Sequence, residues 1–129
     1  MKFLIDTHVL IWLLKNTNRI PNRTRAALGN DQNRVVVSAI SAWEIAIKVH
    51  AGKLDFPQEF LDAFDDNLRE LSFEPLGITA KHAAIGAHLP GLHKDPFDRM
   101  LAGQAVSESL VLVTADPAFS SLGIKTLWE

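Results

Sequence analysis

The chain has no cysteine, which excludes disulfides, thiolate metal ligands and cysteine nucleophiles together and fits a reducing compartment. Any metal must sit on oxygen or imidazole. Long hydrophobic runs are missing as well. Phe3-Leu4-Ile5 is cut by Asp6, far short of the roughly 20 apolar residues that span a bilayer. No membrane or export segment is therefore expected, and the expected location is the cytoplasm. There is no surplus of positive charge: 13 Lys and Arg stand against 15 Asp and Glu, for a formal charge of −2. That balance is not the footprint of a protein holding nucleic acid by bulk electrostatics. Nor is there a glycine-rich phosphate loop with a following lysine, a Gly-x-Ser-x-Gly elbow or a His-Glu-x-x-His pair, so three common routes to catalysis drop out.

What is present is enough apolar material, 47% of 129 residues, to fill the core of one compact unit, and a single domain over residues 1–129 is expected. Charges are segregated. Arg19, Arg23, Arg25 and Arg34 crowd an early segment and Asp62, Asp65, Asp66 and Glu70 a later one. Both groups read as solvated helix faces, with phosphate contact the alternative for the arginines.

Hydrophobic periodicity predicts strands at 2–6, 34–38, 72–76, 110–114 and 124–127. Helices are predicted at 7–15, 21–29, 40–51, from Pro57 through Leu71, 79–88, 97–107 and 117–122. The stripe Phe60, Leu61, Phe64, Leu68 and Leu71 has helical spacing and reads as core. Strands alternating with helices imply βαβ crossovers, hence an α/β fold with a mainly parallel sheet covered on both faces.

In such sheets ligands bind beyond the carboxyl ends of the strands, where the strand order switches. Asp6 ends the first strand and Asp116 follows the strand at 110–114, so the two could face one crevice. Each also stands where a helix N-cap is favoured, Asp116 with Pro117 behind it, and both readings stay open. Glu44 is the sharper anomaly. Ile40, Trp43, Ile45, Ala46, Ile47 and Val49 surround it and make its helix look buried all round, where a carboxylate is costly unless paired or metal-bound. Ser41 at capping-box spacing offers a structural account, but Ser38 could cap the helix a turn earlier and leave Glu44 in the second turn. Asp95-Pro96 reads as an N-cap and first-turn pair, so Asp95 is mainly structural. Asp98, in the following turn, either complements the helix dipole or is aimed by an anchored helix. Arg99 suits an acid, a substrate phosphate or a surface ion pair. His8, His50, His82, His88 and His93 have no ligand-like spacing and read as surface or partly buried, and Trp12, Trp43 and Trp128 as core.

Four segments, in order, carry a resemblance that spans essentially the whole chain: Leu4-Ile5-Asp6-Thr7-His8, Ser41-Ala42-Trp43-Glu44-Ile45-Ala46-Ile47-Lys48, His93-Lys94-Asp95-Pro96-Phe97-Asp98-Arg99-Met100-Leu101 and Leu112-Val113-Thr114-Ala115-Asp116. The chain resembles the PIN domain, specifically the VapC-type toxins of bacterial toxin–antitoxin pairs. That resemblance implies a three-layer α/β/α domain and an endoribonuclease dependent on Mg²⁺ or Mn²⁺, commonly cutting tRNA or ribosomal RNA. It also implies a homodimer, neutralised by a cognate antitoxin and able to join a larger toxin–antitoxin assembly. Asp6, Glu44, Asp98 and Asp116 occupy the family's acidic places as catalytic and metal-binding residues. Thr7 and Arg99 adjoin them, and Asp95, typical of the subgroup, is a further candidate.

Physics supports a metal at such a cluster. Two carboxylates about 6 Å apart repel by roughly 3 kcal/mol at an effective dielectric near 20. Four cannot persist bare and ionised: protons or a divalent cation must neutralise them, and oxygen ligands suit Mg²⁺ or Mn²⁺. The expected chemistry is phosphodiester hydrolysis by a metal-activated water. The alternative from another class is a catalytically silent PIN-like module that binds RNA or a protein. A phosphoacceptor signalling domain fails because Thr7 and His8 follow Asp6 and the middle strand leads through Glu74-Pro75. An Asp-x-Asp phosphotransferase fails because His8 stands two after Asp6.

Overall fold

The computed structural model describes residues 1–91 and 93–129. Strand β1 (Lys2–Ile5) runs straight into helix α1 (Thr7–Lys15), and a 3-10 turn at Thr17–Arg19 leads to α2 (Asn22–Gly29). There follow β2 (Arg34–Ser38), α3 (Ala39–His50), α4 (Gln58–Asp62), α5 (Phe64–Glu70), β3 (Glu74–Leu76), α6 (Ala80–His88) and α7 (Pro96–Ser107). The chain closes with β4 (Val111–Val113), a 3-10 helix at Pro117–Leu122 and β5 (Thr126–Leu127). The sheet order is β3-β2-β1-β4-β5, and every pairing is parallel.

Period-two alternation in the strands divides the apolar residues between two faces. Phe3, Ile5, Val35, Val37 and Val113 point to one side, where Val9, Leu10, Ile45, Phe64 and Leu68 cover them. Leu4, Val36 and Leu112 point to the other, beneath Leu101, Ala102, Ala105, Phe119 and Leu122. Both faces are thus buried, as a parallel sheet requires, and the layers are α/β/α. On the second side α6 and α7 meet almost backbone to backbone. A Cβ on Gly103 would lie 2.4 Å from the His82 carbonyl oxygen, and one on Gly86 would lie 2.3 Å from that of Arg99.

Three expectations are corrected. The segment after Pro57 is two helices, not one: the chain turns at Ala63 (φ −130°, ψ 49°). Asn67 Nδ2 donates to the carbonyls of Glu59 and Phe60, supplying partners for the orphan acceptors at the end of α4. The stripe is accordingly only partly core, with Phe64 and Leu68 buried but Leu71 42% exposed. Second, α3 is not buried all round. Ile40, Ser41 and Ile45 face inward, while Trp43 (59% exposed) and Ile47 (45%) face out, because only one side of α3 packs on the sheet. The strand expected from Ser72 begins at Glu74, since Ser72 adopts φ +63°.

Candidate active site

The strand order reverses direction between β1 and β4, the neighbours from which the chain leaves toward opposite edges. That switch point opens a crevice at the strands' carboxyl ends, and the two acids expected there stand on its two sides. Asp6 follows β1 and caps α1, its Oδ1 accepting from the His8 backbone N–H at 3.3 Å. Asp116 follows β4 and caps the last 3-10 helix, accepting from the Ala118 N–H at 2.9 Å. Capping and site placement, offered as alternatives by the sequence, coincide in both residues. Thr114 joins them: its hydroxyl donates to Asp6 Oδ2 at 2.7 Å and accepts from the Asp116 N–H at 3.1 Å. Asp6 and Asp116 line one cleft of about 450 Å³ with His8, Trp12, Arg19 and Ala115.

Asp98 is brought in by α7, and α3 carries Glu44, whose charge reaches Asp6 although it is not among the groups within ligand distance. Asp95 caps α7, its Oδ1 accepting from the N–H groups of Phe97 (2.9 Å) and Asp98 (3.4 Å), so Asp98 is fixed in the first turn. His93 Nε2 lies 2.6 Å from Asp98 Oδ2. Ligand atoms of His93, Asp98 and Asp116 all fall within 4.8 Å of one another. Ser38 caps α3 through the Ile40 N–H at 3.0 Å, which leaves Glu44 in the second turn, and Thr7 shares a buried 2.9 Å hydrogen bond with Ser41. That bond locks the start of α1 to the α3 turn preceding Glu44. Thr7 thus spends its hydroxyl on Ser41.

The electrostatics register the crowding. Burial pushes the Asp6 carboxyl up, the Glu44 charge adds to the effect, and the Thr114 hydroxyl and His8 oppose it. Burial likewise pushes Asp98 up to about 6, helped by the charges of Asp95 and Asp6 and opposed by the bond from His93. Desolvation and mutual repulsion both disfavour the ionised form, so each of these acids is held in a place where its charge is unwelcome without a cation.

The PIN domain family model matches residues 3–125. The chain belongs to the PIN domain family. Ribonuclease VapC16 of Mycobacterium tuberculosis is 38% identical over 63 residues, 49% of this chain and 45% of that protein; the match thus spans about half the length of each. The tRNA(fMet)-specific endonuclease VapC of Shigella flexneri is 29% identical over 119 residues, 88% of this chain and 86% of that protein. In fold, the chain is similar to the crystal structure of VapBC2 from Rickettsia felis bound to a DNA fragment from its promoter, at a TM-score of 0.74 and 18% identity, covering 100% of both chains.

Within this PIN domain several expectations change. Glu44 is 21% exposed and 3.4 Å from Lys48 one turn on, so it is neither deeply buried nor unpaired. Among the described residues Arg99 pairs with no acid. Its guanidinium donates to the carbonyls of His93 (2.6 Å), Gly86 (3.2 Å), Leu89 (3.0 Å) and Gly91 (3.0 Å), pinning the connection that carries His93. Asp95 is exposed and committed to its cap. Trp43 is not core; its ring lies 4.9 Å from that of Phe97, tilted by 57°, with most of its surface in solvent. His82 departs from expectation, being buried at 2% exposure; His93 is partly buried as expected, but despite the absence of ligand-like spacing it stands in the acidic cluster. Its signal was its place five residues before Asp98 in the third motif, and that of Thr114 was its place two before Asp116.

The donor set fits a hard divalent cation. Carboxylate oxygens of Asp98 and Asp116 already lie within 4.8 Å of one another, near enough for one cation to be held between them. The carboxylates suit Mg²⁺ or Mn²⁺, whereas the imidazole of His93 is better suited to orienting Asp98.

Proposed function

We propose that this PIN domain is a Mg²⁺- or Mn²⁺-dependent endoribonuclease, the toxin of a toxin–antitoxin pair, that hydrolyses phosphodiester bonds of tRNA or ribosomal RNA. The observation that supports the reading is that Asp6 and Asp116 line one switch-point cleft and Asp98 stands within 4.8 Å of Asp116, with Asp6 and Asp98 both pushed toward the neutral form. The names of the two VapC relatives support the same reaction class.

Asp6, Asp98 and Asp116, with Glu44 beside them, would hold the cation, which when bound polarises the phosphodiester and lowers the pKa of a coordinated water. The chain's own residues prepare the reaction. The Thr114 hydroxyl fixes the rotamer of Asp6 and, through its bond to the Asp116 N–H, the separation of those two acids. His93 orients Asp98, as outer partners of metal-binding carboxylates do. No covalent intermediate is required.

The reading includes a single domain over residues 1–129, a cytoplasmic setting, a homodimer and a cognate antitoxin. Among the described residues no helix is long and apolar enough to cross a membrane. The deciding experiment incubates partner-free protein with total tRNA and ribosomal RNA in Mg²⁺ or Mn²⁺, beside a chelator control and an Asp6→Asn protein, and maps fragment ends. Discrete metal-dependent cuts that vanish with Asp6→Asn are expected. No cuts from folded, inhibitor-free protein would turn the assignment to a silent binding module.

A further inference from the structure

An acidic crevice repels its own substrate. RNA is a polyanion, and the cleft beside the cluster carries Asp6 and Asp116 on its walls, so a strand entering it needs a cation of the protein's own beyond any metal at the reacting phosphate. Among the residues lining the cleft Arg19 is the one Lys or Arg. The other early arginines are engaged elsewhere: Arg34 grips Glu74, with Nε 2.7 Å from the carboxylate, Arg25 bonds Asn22, and Arg23 lines a different hollow beside β5.

Arg19 is also held ready. Its guanidinium carbon lies 4.5 Å from the centre of the Trp12 ring. Trp12 is braced from its other contacts by Trp128 at 5.7 Å and His8 at 5.9 Å. The backbone is fixed on both sides, since the Arg19 N–H donates to Asn16 and the Ile20 N–H to Thr17, and Ile20 is buried at 1% exposure. Among the described residues no carboxylate pairs with Arg19. A guanidinium seated over an indole ring with no carboxylate partner keeps its N–H donors for another anion, and the arginine fork suits bidentate capture of a phosphate.

We propose that Arg19, held over the Trp12 ring, anchors an RNA phosphate adjacent to the one cleaved and so sets the path of the strand across the acidic cluster. Trp12 is the positioning residue for that anchor. The inference rests on the ribonuclease reading, and its test separates the two.

Binding of a short single-stranded RNA of mixed sequence is measured by fluorescence anisotropy on Asp98→Asn protein at constant Mg²⁺ over a range of NaCl. Adding Arg19→Ala should weaken binding about tenfold or more and lower the slope of log affinity against log salt by about 0.7, the share of one single-strand phosphate contact. Arg19→Lys should restore the slope but only part of the affinity, because an ammonium lacks the fork. An unchanged slope with Arg19→Ala, or full recovery of affinity with Arg19→Lys, would overturn the anchor while leaving the nuclease assignment intact. If the Asp98→Asn protein with Arg19 in place binds no RNA, the anchor falls, and the nuclease reading is judged separately by the cleavage of tRNA and ribosomal RNA. Circular dichroism of each variant shows that it is folded.

Discussion

Replacing Asp98 by Asn should make the protein more stable while abolishing cleavage. The Asp98 carboxyl, ordinarily at 3.8, is pushed up to about 6 by burial and by the charges of Asp95 and Asp6. A displacement of that size corresponds to about 3 kcal/mol of preference for the neutral form. The side chain is 21% exposed, so solvent screening reduces the usable part to about 1–2 kcal/mol. Asparagine resembles the neutral acid and can still accept from His93 Nε2, so that stabilisation should appear at pH 7 as a rise of about 3–8 °C in Tm. The sign follows from linkage. The folded pKa lies above the unfolded one, so the parent protein has its full stability from this group below about pH 4 and loses it as pH rises through about 6. The difference between Asp98→Asn and parent should therefore be largest above pH 6 and disappear toward pH 4. Saturating Mg²⁺ at about a hundred times its Kd would restore about 2.7 kcal/mol to the parent and much less to the variant, reversing the order. Denaturant unfolding in chelator across this pH range, repeated with Mg²⁺, is the assay. An Asp98→Asn protein no more stable than its parent at pH 7, or one whose advantage persists undiminished at pH 4, would refute the claim that burial opposes ionisation here.

Arg99→Ala removes the donor to carbonyls of Gly86, Leu89, Gly91 and His93. It should cost at least about 2 kcal/mol of stability and, at a temperature where the variant is folded, lower RNA cleavage at least about tenfold because His93 no longer holds Asp98; unfolding curves and initial rates report both. Gly103→Ala places a methyl group 2.4 Å from the His82 carbonyl oxygen and 2.7 Å from the Gly86 nitrogen. Backbone atoms cannot yield as a flexible side chain would, so a loss of about 1–3 kcal/mol is expected; an unfolding midpoint within error of the parent would show that α6 and α7 can part freely.

The sequence by itself determined the alternation of elements and the places where acids interrupt it. Those depend on local signals: valine-rich runs, cap residues, and proline behind Asp95 and Asp116. The expectation that Asp6 and Asp116 share a crevice held because it follows from topology, which periodicity and crossover rules largely dictate. Tertiary structure decided what each side chain spends its bonds on. Arg99 looked like a substrate or acid contact, yet its fork is consumed by four carbonyls on a connection whose course no local signal specifies. Glu44 looked buried because its neighbours are apolar, but apolar character does not say which neighbours find a partner, and Trp43 and Ile47 do not. His93 and Thr114 owe their roles to residues that only folding brings within hydrogen-bonding distance, Thr114 to an acid 108 positions away. Arg19 differed from the other arginines only once α1 and the turn after it had been folded against the acidic cleft. Identity and spacing fix which groups are available; packing and desolvation, which depend on the whole chain, fix their partners and their charge.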